Sequence, residues 1–157
     1  MPFLYENSIN GNVISQLVTN YPNIDFDIDI TVDNSAKTFT VPATEIWQIV
    51  AIYVSLATTA TAGNRILSVD ISNPTPTVIL RLPMNGTQAA SLSNYIVWLS
   101  GLPAAAISNN LIRADMPAFL FVPCGYTIKI WDRSAIDATH DDMIVAIHHL
   151  NFPVKVT

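Results

Sequence analysis

The hydrophobic pattern of residues 41–72 predicts two β-strands joined by a short polar connection. Residues 46–57 form a long apolar run rich in β-branched and aromatic side chains, which is typical of a strand covered on both faces. Small and polar residues follow, and residues 65–72 then alternate between apolar and polar positions. One side of this segment carries Leu67, Val69 and Ile71, and the other carries Ser68, Asp70 and Ser72. We therefore expect a hairpin from the middle of a β-sandwich, with its second strand half exposed.

Further strand-like segments and frequent turn signals predict an all-β fold. The remaining candidate strands cover residues 23–32, 37–41, 77–82, 88–99, 118–122, 126–132 and 143–152. Residues 104–117 show no clear period, and we expect an irregular excursion there. Eight or nine strands with turn signals every 8 to 15 residues or so are typical of an antiparallel β-sandwich or jelly roll, the fold class that we expect.

Three of these segments lead to expectations about burial. Residues 118–122 are all apolar, which predicts a buried strand. The expected apolar anchors of residues 88–99 are Leu92, Tyr95 and Trp98. In residues 126–132, Tyr126, Ile128 and Ile130 alternate with Thr127, Lys129 and Trp131.

The first 22 residues differ from the rest, and we divide the chain into an N-terminal arm over 1–22 and a jelly-roll domain over 23–157. Helical spacing runs from residue 12 to residue 21, and Pro22 ends it. The apolar positions are Val13, Ile14, Leu17, Val18 and Tyr21. A short helix and an ordered arm both fit this pattern. The segment can pack on the sheet of its own domain or on a partner, and the sequence does not distinguish the two.

Residues 23–32 alternate strictly between apolar and mostly acidic side chains. We expect the apolar set to point inward, namely Ile24, Phe26, Ile28, Ile30 and Val32. Asp25, Asp27 and Asp29 then line the outward face. Carboxylates are ligands for hard cations, but a row along a strand does not converge on one ion. The alternative is a solvated face whose charges discourage edge-to-edge aggregation, and this alternative is favoured.

Composition favours an assembling protein. Half of the residues are hydrophobic and only 12% are charged, against about 25% in typical soluble proteins. No apolar run is long enough for a transmembrane helix, and the N-terminus lacks the basic and apolar regions of a signal peptide. We therefore expect other subunits to cover much apolar surface; the alternative is a monomer with a surface rich in Thr, Ser and Asn.

The formal net charge of −5 and the scattered basic residues argue against nucleic-acid binding, because phosphate contacts need clustered Lys and Arg. The single cysteine, Cys124, excludes an internal disulfide, and we expect a small buried thiol there.

The best candidate for metal chemistry is a C-terminal group of residues. It comprises His140, Asp141, Asp142, His148 and His149. Adjacent residues on a strand point to opposite faces, so His148 and His149 cannot chelate one ion together. A cupin-like metal enzyme built on His140, Asp142 and His149 is the weakest of our hypotheses. We assign no catalytic, cofactor-binding or metal-binding residues and expect no cofactor and no enzymatic activity.

Aromatic residues raise a second possibility, a carbohydrate-binding surface. The candidates are Trp47, Tyr53, Tyr95, Trp98 and Trp131. Most of them lie on apolar strands, which favours a place in the core or in an interface.

Four segments between residues 41 and 150 resemble the small decoration, or cement, proteins of tailed bacteriophage heads. They are Val41-Pro42-Ala43, the connection at 58–65 (T-T-A-T-A-G-N-R), the V-P-C-G-Y turn at 122–126, and the loop at 134–143 (S-A-I-D-A-T-H-D-D-M). Cys124 stands where the family typically has alanine. Neither the arm nor the strand with Asp25, Asp27 and Asp29 belongs to the matched pattern.

The resemblance implies a jelly-roll domain that forms homotrimers on the outer surface of the virion and ties neighbouring major capsid proteins together. It implies no catalytic residues. From the scattered basic residues and the lack of a long apolar run we expect no nucleic-acid and no membrane partner. We therefore expect a structural virion protein. The alternative is a receptor- or carbohydrate-binding β-sandwich of a phage tail fibre.

Overall fold

The computed structural model describes residues 22–33, 35–108, 110–134 and 140–154, and in these ranges the chain forms strands and no helix. The predicted helix over residues 12–21 lies outside the described residues. The strands are β1 (Asn23–Asp33), β2 (Lys37–Thr40), β3 (Glu45–Ala57), β4 (Leu67–Ser72), β5 (Val78–Pro83), β6 (Ser93–Ser100), β7 (Ala105–Ser108), β8 (Leu111–Met116), β9 (Leu120–Val122), β10 (Thr127–Asp132) and β11 (Asp142–Pro153).

These strands form two sheets, which confirms the expected β-sandwich. The larger sheet has seven strands in the order β1-β11-β3-β6-β8-β7, with β9 pairing beside part of β3. The smaller sheet has four strands in the order β2-β10-β4-β5. All described pairs are antiparallel except β6 with β8, which run parallel. The chain changes sheets at most of its connections, as expected for a jelly-roll type of sandwich.

The core lies between the two sheets and is built from alternate residues of the central strands. From the larger sheet it takes Trp47, Ile49, Ile52, Val54, Leu56, Ile96, Trp98, Met143, Val145 and Ile147, and from the smaller sheet Leu67, Val69, Ile71, Ile128 and Ile130. The predicted inward sides of β4 and β10 are therefore confirmed.

The predicted hairpin of residues 46–72 is wrong. β3 and β4 lie in different sheets, and residues 58–66 carry the chain from one to the other. The reason is that β3 has β11 on one side and β6 with β9 on the other, so it has no free edge for the next strand. The outward side of β4 is also not exposed, because Ser68 and Asp70 are buried beneath neighbouring side chains.

Residues 104–117 are not irregular, since they contribute β7 and β8 to the larger sheet. β8 alternates between buried Ala114 and Met116 and the more exposed Arg113 and Asp115. The strands are short and rich in alanine, so their period is weak in the sequence.

Several predicted core positions are exposed instead. Trp98 is fully buried, but Leu92 and Tyr95 are 45% and 60% exposed. In β9 only Val122 is buried, while Phe121 is exposed, as is Phe119 just before the strand. These aromatic side chains lie outside the core between the sheets, and Tyr95 belongs to the surface described next.

Candidate interaction surface

The two sides of β1 are the reverse of the prediction. Its apolar residues point away from the smaller sheet and into solvent. Their exposed fractions are 68% for Ile24, 52% for Phe26, 57% for Ile28, 72% for Ile30 and 59% for Val32. Such a continuous apolar stripe on a sheet edge is unusual for a protein that stays alone in solution.

The acidic side of β1 is turned toward the body of the sandwich, where three contacts hold it. His149, which is 1% exposed, lies with its Nε2 atom 2.8 Å from Oδ2 of Asp27. Lys37 on β2 is equally buried, and its ammonium group binds Asp33 and the carbonyl oxygen of Thr31. Polar groups therefore line this edge of the sandwich, where the side chains of Asp27, Asp29 and Asp33 are 35–45% exposed.

The contacts with Lys37 also change the acidity of β1. The hydrogen bond from Lys37, together with one from Ser35, lowers the pKa of Asp33 to about 2. The pKa of Asp29 is lowered mainly by hydrogen bonds from Thr31, with a smaller contribution from Lys37. Both carboxyl groups are therefore charged at neutral pH while held against the protein.

The apolar stripe of β1 continues across the larger sheet. Phe26 stacks on His148 of β11, with ring centroids 4.4 Å apart, and Ile28 pairs with Ala146. Ala146 pairs in turn with Tyr53 of β3, and Tyr53 with Val97 of β6. We call this surface the outer face; it consists of Ile24, Phe26, Ile28, Ile30, Val32, Tyr53, Tyr95, Val97, Ile144, Ala146 and His148.

The middle of the outer face is a shallow apolar depression. It is lined by Tyr53, Val54, Ser55, Tyr95, Val97, Ile144 and Ala146. None of the residues that define this face carries a fixed charge. Charged side chains lie at its margins, with Asp142 at the start of β11 and Arg113 of β8 paired with Val97. An apolar surface with charged margins is suited to contact with another protein.

The candidate metal residues do not come together. His148 faces outward onto Phe26 and His149 inward onto Asp27, as their adjacency predicts. Asp142 and His149 lie seven residues apart on β11, which corresponds to about 23 Å. Within the described ranges no group of three His, Cys, Asp or Glu side chains could hold a metal ion.

Asp141 has a structural partner that the sequence did not reveal. It forms a fully buried ion pair with Arg65, whose Nε atom donates to Oδ2 at 2.6 Å. Burial alone would raise the pKa of Asp141, but hydrogen bonds from Arg65 and Thr59 outweigh it and lower that pKa. Arg65 also donates to the carbonyl oxygens of Thr61 and Gly63. The pair thus ties the β3–β4 connection to the start of β11.

The aromatic candidates separate into three environments. Trp47 and Trp98 are buried in the core, and Tyr53 and Tyr95 belong to the outer face. Trp131 lies half-buried on the smaller sheet, where its indole N–H donates to Asp70 at 3.1 Å. Arg81 forms two hydrogen bonds with the same carboxylate, and Lys129 lies over the indole ring.

Cys124 is exposed, so the expected buried thiol is wrong. It lies in the turn before β10, where Gly125 has a φ of 74° and the chain reverses at the surface. A turn that needs such a glycine places its neighbours at the surface, and this signal was present in the sequence.

Comparison with models of known protein families gives no match, and no curated protein matches the chain. In the described part of the chain, no helix is long and apolar enough to cross a membrane.

Proposed function

We propose that this protein is a structural virion protein, a homotrimeric decoration protein that binds the outer surface of a bacteriophage capsid and stabilises contacts between major capsid proteins. The observation that supports assembly is the outer face, where five apolar side chains of β1 are more than half exposed. The trimer and the capsid partner follow from the resemblance of residues 41–150 to decoration proteins.

A trimer suits this role for a physical reason. Three copies of one weak footprint bind a capsid together, since after the first contact the other two meet their sites at high effective concentration. Modest contacts per subunit then give strong binding. The low charge of the chain, 12% of residues, is typical of subunits with permanent apolar interfaces.

The first test is the mass of the purified protein by light scattering. We expect about three times the chain mass of 17.2 kDa. The second test is co-sedimentation with capsids that lack decoration, compared with the same capsids already saturated by it. A protein that fails to sediment with the undecorated capsids contradicts the proposed function.

The carbohydrate-binding alternative has less support. Trp47 and Trp98 are buried, and the depression between Tyr53 and Tyr95 offers few polar groups to bind sugar hydroxyls. Binding to host-surface polysaccharide on a glycan array, abolished by Tyr95→Ala, would restore that alternative.

A further inference from the structure

We propose that the outer face is buried against further copies of this chain, so that the stripe on β1 and the Tyr53–Tyr95 depression form the subunit interface. This inference deepens the proposed function, because it assigns the contact between subunits to one surface. It rests on the proposed assembly, and its test has a readout separate from capsid binding.

The size of the face fits a second copy. Four hydrogen-bonded strands, β1, β11, β3 and β6, are about 19 Å wide, and strands of 8 to 13 residues give a length of about 33 Å. The projected area is therefore roughly 600 Å², comparable with the ~800 Å² that each partner contributes to a stable protein interface. Contact over this face alone is enough for a specific complex.

The charge arrangement also allows two copies to approach. Asp27, Asp29 and Asp33 point away from the outer face, and Lys37 and His149 hold them there. Their carboxylates do not confront those of a neighbouring copy, whereas the opposite orientation of β1 would have placed a row of like charges in the contact.

Residues 1–21 are the other candidate occupant, since they end next to β1. A helix over 12–21, one of the two forms that the sequence pattern allows, would be about 15 Å long and 10 Å wide and would cover about a quarter of the face. Around a threefold axis, the outer faces of neighbouring copies present surfaces of matching apolarity to one another, and for this reason we choose further copies of this chain as the occupant.

The test compares charged substitutions of equal exposure on the two sheets. Ile28→Asp lies on the outer face, and Ile79→Asp lies on β5 of the smaller sheet, where the side chain is 56% exposed against 57% for Ile28. Tyr95→Lys probes the far side of the outer face. We expect Ile79→Asp to keep the mass of the unmodified protein in light scattering, and the other two variants to fall to the monomer mass. Unchanged masses for both outer-face variants overturn the inference.

A labelling experiment covers the case in which a charged variant does not fold. Ile28→Cys and Ile79→Cys are each made in a Cys124→Ser background and treated with a maleimide. We expect Ile28→Cys to react slowly, because the interface covers it, and Ile79→Cys to react rapidly. Equal rates at the two positions contradict the inference.

The two proposals fail in different ways. If the unmodified protein is assembled and its outer-face variants stay assembled, the inference is wrong. The proposed decoration function still stands if the protein binds capsids. If the outer-face variants become monomeric but the unmodified protein does not bind capsids, the inference is supported and the proposed function is contradicted. If the unmodified protein is a monomer, the inference is overturned. Slow reaction of Ile28→Cys with maleimide would then indicate that residues 1–21 cover the outer face. Rapid reaction would show that the outer face is exposed to solvent.

Discussion

The imidazole of His149 lies 2.8 Å from the carboxylate of Asp27, across 122 residues of chain, and it helps to determine which side of β1 faces solvent. His149 is buried, stacks on Trp47 with ring centroids 3.9 Å apart, and has no hydrogen-bond partner at Nδ1 among the described residues. Asp27 is therefore the hydrogen-bond partner of the His149 ring, at Nε2. Turning β1 over would replace this carboxylate with an apolar side chain and leave the histidine unsatisfied.

Asp27→Leu should destabilise the protein by about 1–3 kcal/mol, because a buried ring loses its partner. The measurement is the free energy of unfolding in urea, with hydrogen exchange of β1 as a local readout. Asp25→Leu is the matched control, since Asp25 is exposed and its described side-chain contact is with the neighbouring N–H of Phe26. Equal losses from both substitutions would show that the Asp27–His149 contact has no special role.

Stability should fall in acid, in part through Asp33. Its folded pKa of about 2 is below the ordinary 3.8, so the stabilisation by Lys37 is complete above about pH 4 and disappears as the pH falls toward 2. Asp33→Asn should flatten the dependence of the urea midpoint on pH between 4 and 2. The exposed Asp115 on β8 provides a control, and Asp115→Asn should leave a steeper dependence than Asp33→Asn does.

Breaking the Arg65–Asp141 pair should have the largest effect on stability. Asp141→Ala leaves a buried guanidinium without its carboxylate, and losses of about 3–5 kcal/mol are typical of such changes. The double variant Arg65→Met with Asp141→Leu should recover much of this loss, because neither charge remains. A double-mutant cycle by calorimetry measures the coupling, and additive effects would contradict the ion pair.

Arg81→Lys should destabilise the smaller sheet although it keeps the charge. Arg81 binds both oxygens of the buried Asp70, at 2.7 and 2.8 Å, and a lysine cannot reproduce this paired geometry. We expect a lower free energy of unfolding for Arg81→Lys than for the unmodified protein. Arg113→Lys on β8 is the control, because the hydrogen bond of Arg113 within the described residues goes to one carbonyl oxygen, that of Pro103.

Cys124 should react with a maleimide in the native protein at one thiol per chain, since its side chain is exposed. Mass spectrometry before and after labelling measures the extent, with Cys124→Ser as the control. If Cys124 reacts only after the protein is unfolded in urea, its thiol is covered in the native protein.

Local patterns of the sequence were enough to predict much of the architecture. Alternation located β1, β4 and β10 to within a residue or two, and it separated Ile128 and Ile130 from Lys129 and Trp131. The adjacency of His148 and His149 predicted that the two rings face opposite ways, as neighbouring residues of a regular strand do, and the structure places them on Phe26 and Asp27 respectively. These conclusions depend only on the backbone geometry of a strand.

The tertiary structure decided which strands pair and which face of a strand is covered. Alternation groups Ile24, Phe26 and Ile28 on one side of β1, but it contains no information about where the second sheet lies. Pairing between β1 and β11 and the contacts of Lys37 and His149 settled that question, and these partners are distant in sequence. The apolar stripe of β1 joins the outer face because those long-range contacts hold the acidic side of the strand inward.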